Sequence, residues 1–94
     1  FVTIGKEVGI SGHRLAKYNE RSFNDRLVEG DIVYLKKKAK RAPKNYKDRL
    51  HYVRAGESMY SISQLYGIRL KYLYKLNNMR PDDNITVGDG LRLR

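Results

Sequence analysis

The sequence predicts a protein of the α+β class, built from two small strand–helix–helix–strand (βααβ) units, the first of which lacks its first strand. Three observations predict this fold. A segment of about 35 residues occurs twice, apolar residues recur at helical spacing inside each copy, and short alternating segments flank the helices. We expect each complete unit to hold a two-stranded antiparallel sheet with two helices on one face.

The duplication is visible without any gap. Residues 3–36 match residues 61–94 at a constant offset of 58, and ten of the 34 positions are identical. Ordinary residue frequencies give roughly two identities by chance, so the repeat is not an accident of composition. The identical pairs are Ile4/Ile62, Gly9/Gly67, Ile10/Ile68, Leu15/Leu73, Lys17/Lys75, Asn19/Asn77, Asp25/Asp83, Gly30/Gly88, Asp31/Asp89 and Leu35/Leu93.

The second copy begins with a strand signal at residues 51–54, followed by a turn. Ser58 suits the N-cap of a first helix, because its hydroxyl can accept an otherwise unpaired backbone N–H of the first turn. Gly67 suits the end of that helix, where a positive φ is favoured. The apolar residues between them stand at helical spacing, at Met59, Ile62 and Tyr66.

A second helix follows, and Asn77 with Asn78 ends it. Its leucines, at positions 70, 73 and 76, share one face. A polar loop over residues 79–84 leads to a last strand, Leu91–Leu93, whose alternation places both leucines inward. The two strands are far apart in sequence, so we expect them to pair antiparallel.

The first copy repeats this pattern from its first helix onward and ends in a predicted strand, Ile32–Leu35. The counterparts of residues 51–58 would precede Phe1, so this strand lacks a partner of its own. We therefore predict that the first copy is less stable than the second, or that it borrows a partner strand from elsewhere. Gly12 replaces the apolar Leu70 and is expected to weaken the second helix, while Gly90 is expected to loosen a strand mildly.

The charge is distributed unevenly. The net charge is +10, but residues 1–35 hold five basic and five acidic side chains, and residues 50–94 hold seven and four. Residues 36–49 hold eight basic side chains and one acidic. Such a stretch is typical of an extended, solvated linker. We predict copy 1 at 1–36, a basic linker at 37–49 and a complete copy 2 at 50–94, with nucleic-acid or anionic-polymer binding through the linker as the alternative function.

Several chemistries are disfavoured by composition. The chain has no cysteine and two histidines, which are too few ligands for a metal site, and no cofactor is implied. His51 stands in a predicted strand, where a structural role is expected. No carboxylate pair or Ser/His/Asp set suggests catalysis, and no apolar run approaches the roughly 18 residues of a membrane span. We expect this chain not to be an enzyme.

The second copy presents a series of motifs in a fixed order: His51–Ser63, Tyr66–Ile68, Leu73–Asn77, Ile85, Gly88–Asp89 and Leu91–Leu93. In this order they resemble a LysM (lysin motif) domain, and residues 1–36 resemble the same domain without its first strand. The tandem arrangement resembles the carboxyl-terminal, cell-wall-binding region of a bacterial peptidoglycan hydrolase of the glucosaminidase or amidase type.

This resemblance implies a non-catalytic module that binds N-acetylglucosamine-containing glycans, either peptidoglycan or a chitin-like polymer. The module would hold an upstream catalytic domain of the same polypeptide against its substrate, in an exported, periplasmic or cell-wall-associated protein. Nucleic acid is the less favoured partner, because most of the excess charge lies in one short segment.

In LysM domains the groove lies between the loop entering the first helix and the loop leaving the second. Backbone amides there can pair with an N-acetyl group, and apolar side chains can cover its methyl. The resemblance assigns the binding role in copy 2 to Gly56, Glu57, Ser58, Met59, Tyr60, Arg80, Asp82, Asp83, Asn84 and Ile85. The weaker candidates in copy 1 are Ser22, Phe23, Asn24, Arg26 and Leu27.

Some of these residues have equally plausible structural roles. Met59 and Ile85 also fit a hydrophobic core, and Glu57 also suits a helix N-terminus. Tyr72 and Tyr74 are consistent with sugar stacking, but more often such side chains lie beside a core with the hydroxyl in solvent.

Overall fold

The structure, a computed structural model, describes all residues 1–94 and comprises two compact units, Phe1–Lys38 and Ala39–Arg94. Four α-helices and one two-stranded antiparallel sheet confirm the α+β class. No helix is both long and apolar enough to cross a membrane. In chain order the elements are α1 (Val2–Val8), α2 (Gly12–Tyr18), a 3-10 turn (Lys44–Tyr46), β1 (Leu50–Tyr52), α3 (Met59–Tyr66), α4 (Leu70–Leu76) and β2 (Gly90–Arg92).

The two-stranded sheet of the second unit pairs a strand from near its start with a strand from near its end. β1 pairs antiparallel with β2, and His51 lies opposite Leu91. Side chains alternate between the faces of a strand, so this pair lies on the buried face while Leu50 and Tyr52 remain exposed. Leu91 and Leu93 are both buried, which confirms the predicted inward leucines.

The caps of α3 explain its bounds. The Ser58 hydroxyl accepts from the Ser61 N–H at 3.0 Å, and the Ser61 hydroxyl accepts from the Ser58 N–H at 2.9 Å. This reciprocal capping box satisfies two donors at the helix start. Gly67 ends the helix at φ +69°, a backbone conformation that glycine adopts without steric cost.

α3 and α4 pack against the sheet through one apolar cluster. Its buried members are Ala42, Val53, Met59, Ile62, Ile68, Leu73, Leu91 and Leu93.

The predicted linker behaves differently from expectation over residues 39–46. The Ala39 N–H donates to the Gly67 carbonyl at 2.9 Å, and the Ala42 N–H donates to the Leu93 carbonyl at 2.8 Å. Ala42 is 1% exposed and belongs to the core, and Tyr46 packs edge-on against Tyr66. The expectation of an extended, solvated chain is therefore wrong here, because two apolar residues anchor the segment to the second unit.

The first unit contains α1 and α2 but no strand. The predicted strand Ile32–Leu35 is wrong as secondary structure, because no second segment of the unit pairs with it. The segment is tied instead by Asn19, whose Oδ1 accepts from the Tyr34 N–H at 2.6 Å.

Gly12 has a role that composition did not indicate. A Cβ at this position would lie 2.9 Å from Phe23 and 3.2 Å from the Val2 nitrogen, so the absence of a side chain lets α2 begin close to the start of α1. A larger side chain at position 12 would have to displace Phe23 or the start of α1.

Candidate functional site

The loop that leaves α4 is organised by its own carboxylate. The Asp83 Oδ2 accepts from the Arg80 N–H at 2.8 Å, and the Asp83 N–H donates to the Arg80 carbonyl at 3.0 Å. Such a pair of bonds closes a tight turn. Asp83, a predicted ligand residue, therefore has a structural task in the unliganded loop.

The same loop exposes groups that bond to nothing in the protein. The side chains of Arg80, Asp82 and Asn84 are exposed, and they take part in no hydrogen bond or ion pair within the chain. The backbone N–H groups of Asn84 and Ile85 likewise have no protein acceptor. These donors and acceptors converge on a few residues and can meet the amide and hydroxyl groups of a sugar.

The turn before α3 is held by a network that the sequence patterns did not reveal. The Glu57 Oε1 accepts from the Arg54 N–H at 2.7 Å and lies 2.9 Å from the His51 Nε2. The other ring nitrogen of His51 lies 2.7 Å from the Tyr66 hydroxyl. This network fixes the turn in which Gly56 adopts φ +83°.

The network also changes the acidity of Glu57. The hydrogen bond from the Arg54 N–H, and after it the bond to His51, hold the pKa of the Glu57 carboxyl below its ordinary value. Glu57 thus caps the turn instead of standing free at the helix N-terminus, and His51 has the structural role that its position predicted.

Met59, Tyr60 and Ile85 divide between core and surface. Met59 is 5% exposed and is part of the core cluster, whereas Ile85 is half-buried and packs against that cluster. Tyr60 is also half-buried, and Ser58 is exposed but occupied as the N-cap. The half-buried Tyr60 at the start of α3 and the half-buried Ile85 in the loop after α4 therefore each present some apolar surface, whereas Met59 belongs to the core.

The first unit presents a different loop at the matching positions. Phe23 is half-buried and stacks on His13, with the ring centroids 3.8 Å apart. The Arg26 carbonyl accepts from the Arg21 guanidinium at 3.0 Å, and the Ser22 N–H donates to the Asp25 carboxylate at 3.1 Å. The remaining candidates are the exposed Asn24 and the half-buried Leu27. One face of the Phe23 ring is therefore covered by His13 and is not available to stack on a sugar.

The chemistry available at the second-unit loops is non-covalent recognition. No group of three or more His, Asp or Glu side chains lies close enough together to hold a metal ion. The exposed amide and carboxylate groups and the half-buried apolar side chains suit a ligand that has both polar and apolar faces.

Comparison with known proteins identifies this region. Residues 51–94 match the LysM domain family, a family of non-catalytic modules that bind peptidoglycan and related glycans containing N-acetylglucosamine. No curated protein matches the chain. Among solved structures, the crystal structure of the Bacillus cereus spore cortex-lytic enzyme SleL is similar, at 26% identity over 99% of this chain and 19% of that chain, with a TM-score of 0.47. The chain thus spans about a fifth of the length of that structure.

Proposed function

We propose that the LysM domain at residues 51–94 binds its glycan through the loop at 80–85 together with the turn at 56–60. The observation that carries the proposal is the set of exposed, unpartnered polar groups on Arg80, Asp82 and Asn84 beside the half-buried Ile85. Polar groups left unpaired next to apolar surface favour a ligand that has both characters, as an N-acetylated sugar does.

Each contact has a chemical assignment in this proposal. The free N–H groups of Asn84 and Ile85 would donate to the acetamido carbonyl, and the side chains of Asp82 and Asn84 would bond to sugar hydroxyls. Tyr60 and Ile85 would cover the acetyl methyl. Glu57 and Asp83 would act indirectly, since their carboxylates already hold the two loops in shape.

We further propose that the first unit is a second LysM-like copy. Its support is a set of hydrogen bonds that recur at the sequence offset of 58. Asn19 and Asn77 each hold the last strand or its counterpart, and Asp25 and Asp83 each close the loop after the second helix. Two weak sites on one chain would raise the overall affinity through effective concentration.

Two LysM-like copies on one chain, as proposed above, would suit a targeting role for the whole protein. We propose that the parent polypeptide is an exported, periplasmic or cell-wall-associated peptidoglycan hydrolase of the glucosaminidase or amidase type. In it, this chain would hold the catalytic domain near an insoluble substrate.

The test is retention on purified peptidoglycan and on chitin at about 300 mM salt, above the range in which phosphate contacts weaken. Soluble N-acetylglucosamine oligomers serve as competitors. The unaltered chain should be retained and then released by the oligomers. The double variant Asp82→Ala/Asn84→Ala should lose on the order of tenfold in affinity, equivalent to about 1.4 kcal/mol, since two sugar contacts disappear.

The matched control is Glu29→Ala/Asn45→Ala, which removes one acid and one amide from exposed positions outside the proposed site. It should bind as the unaltered chain does. Equal losses in the two double variants, or retention that the oligomers do not compete, would contradict the proposed site.

A further inference from the structure

Tyr72 lies in the middle of a cluster of positive charges on the second unit. The Arg69 guanidinium lies 4.7 Å from the ring centroid, and the Lys71 and Lys75 ammonium groups lie 5.3 Å from it. Lys40, from the segment before the sheet, reaches the same ring at 5.4 Å. We call these residues, together with Arg41, the basic cluster.

No carboxylate balances these charges. None of the five cations in the basic cluster forms an ion pair, and the buried Nε of Arg69 has no hydrogen-bond acceptor. Burial by itself raises the pKa of Tyr72, but the surrounding cations together hold that pKa below its ordinary value. The ring offsets only part of the repulsion among the cations, so an anion placed here would relieve it.

The cluster is preorganised by backbone bonds on both sides of Lys40 and Arg41. The Arg69 N–H donates to the Ala39 carbonyl at 2.8 Å, which completes a bridge between the segment and the start of α4. On the other side, the Arg94 guanidinium donates to the Ala42 carbonyl at 2.8 Å. The basic segment is therefore fixed against α4 before any ligand arrives, which lowers the entropic cost of binding.

The basic cluster also borders a cavity on the surface of the second unit. A surface cavity of about 260 Å³ is lined by Lys40, Arg41, Tyr72, Lys75 and Leu76. Lys71 and Lys75 stand one helical turn apart on α4 and extend the positive surface along the helix. A row of cations beside a cavity suits an extended ligand with regularly spaced anionic groups.

We infer that the basic cluster is a second binding site, which takes a phosphodiester polymer of the cell wall, such as a polyol-phosphate chain. The Tyr72 ring is already engaged by cations, so it is poorly placed to stack a nucleic-acid base. The choice of a wall polymer over nucleic acid rests on the proposed glycan-binding function, which would bring the chain to the wall. The site itself rests on the geometry of the cluster.

The test measures binding of a synthetic poly(glycerol phosphate) oligomer at about 50 mM salt, with single-stranded DNA of the same number of phosphates in parallel. The variant Lys71→Gln/Lys75→Gln removes two exposed cations of the cluster. It should bind the oligomer about tenfold more weakly, and the slope of log K against log salt should become shallower by about 1.4. Lys44→Gln/Lys47→Gln, the control, removes the same charge from exposed positions outside the cluster and should change little.

Four results decide between the alternatives. Equal losses in the two double variants would overturn the site, since net charge alone would then explain binding. DNA bound as tightly as the oligomer, with the same loss in Lys71→Gln/Lys75→Gln, would overturn the wall-polymer assignment. Loss of retention on phosphate-free peptidoglycan in that variant would show that the cluster is part of the glycan site and not a second one. If the unaltered chain binds the oligomer but not phosphate-free peptidoglycan, the glycan proposal fails and the choice of a wall polymer fails with it, while the phosphodiester-binding site itself stands.

Discussion

The two units share their polar hydrogen bonds and differ in their apolar core. In the first unit the Asn19 amide donates to the Leu15 and Tyr34 carbonyls at 2.8 and 2.9 Å. In the second unit the Asn77 amide donates to the corresponding carbonyls of Leu73 and Arg92 at 2.9 and 3.0 Å. This clamp ties the end of the second helix to the final segment in both units.

The carboxylates repeat in the same way. Asp31 accepts from the Val28 N–H at 3.0 Å, and Asp89 accepts from the Thr86 N–H at 2.9 Å. The core does not repeat, because the buried apolar residues of the first unit are Leu15 and Ala16, whereas the second unit buries eight. Local hydrogen bonds thus form without a sheet, while a core of useful size requires the paired strands that enclose it.

The largest expected difference concerns amide exchange. The Val53 N–H, which donates to the Asp89 carbonyl at 2.9 Å, should exchange only when the second unit opens. The Leu15 N–H, which donates to the Ser11 carbonyl at 3.0 Å, should exchange on the order of a hundredfold faster. The smaller core of the first unit leaves it less stable towards opening. Hydrogen exchange followed by NMR checks this, and equal protection in a monomeric sample would contradict it.

The next largest difference between the units should appear when a core leucine is shortened. Leu73→Ala should lower the free energy of unfolding of the second unit by about 3 kcal/mol, because Leu73 is completely buried among apolar neighbours. Leu15→Ala should abolish protection in the first unit and leave the urea midpoint of the second unchanged. Urea unfolding resolved by NMR peaks of each unit measures both effects.

The control for truncation is Leu65→Ala, at a helical leucine that is 51% exposed, where a change below about 0.5 kcal/mol is expected. A common midpoint shift of both units on Leu15→Ala would show that they unfold as one body, against the division into two.

The elements of the second unit were predictable because their signals are local. Ser58, Gly67 and Asn77 mark helix ends within one turn of the residues that they cap. The packing of residues 39–46 was not predictable, because charged residues separate the few apolar ones and Pro43 disfavours a continuous helix through the stretch. The burial of Ala42 and Tyr46 depends on Leu93 and Tyr66, which are distant in sequence.

The candidate site was predictable in position but not in the task of each residue. The resemblance indicated the two loops, yet Glu57 and Asp83 each bond the N–H of the residue three positions earlier. That spacing is itself a turn signal, and it could have separated these two carboxylates from the unpartnered Asp82. The sequence indicated the basic cluster only in part. Lys71 and Lys75 stand one helical turn apart on either side of Tyr72, but Lys40 and Arg41 lie in the segment that was predicted to be a linker.

The asparagine clamp should matter less than the core. Asn77→Ala removes the two donated bonds and the bond in which Oδ1 accepts from the Arg92 N–H at 2.7 Å. We expect a loss of about 2 kcal/mol in the unfolding free energy of the second unit, measured by urea denaturation. Asn77→Asp keeps the acceptor and should lose less. Asn45→Ala, at an exposed position, serves as control, and a loss as large as that of Asn77→Ala would argue against the clamp.

The smallest expected effect is the response to acid. The hydrogen bonds to Arg54 and His51 lower the pKa of Glu57 in the folded state, so the unfolded chain binds the proton more readily. The stability that Glu57 contributes is therefore complete above its ordinary pKa of about 4.5, and it is lost as the pH falls through the lower folded value. In Glu57→Gln, the urea midpoint of the second unit should therefore fall less steeply as the pH is lowered from neutral into the acid range.

Asp31 is the corresponding carboxylate in the first unit. Its pKa is lowered first by the hydrogen bond from the Val28 N–H and then by the bond from the Arg21 guanidinium. Asp31→Asn should flatten the acid response of the first unit alone, and Glu57→Gln that of the second alone. Each variant thus serves as the control for the other, because the two carboxylates lie in separate units. If either substitution changed the pH dependence of both units, the acid response would report their coupling and not these two turns.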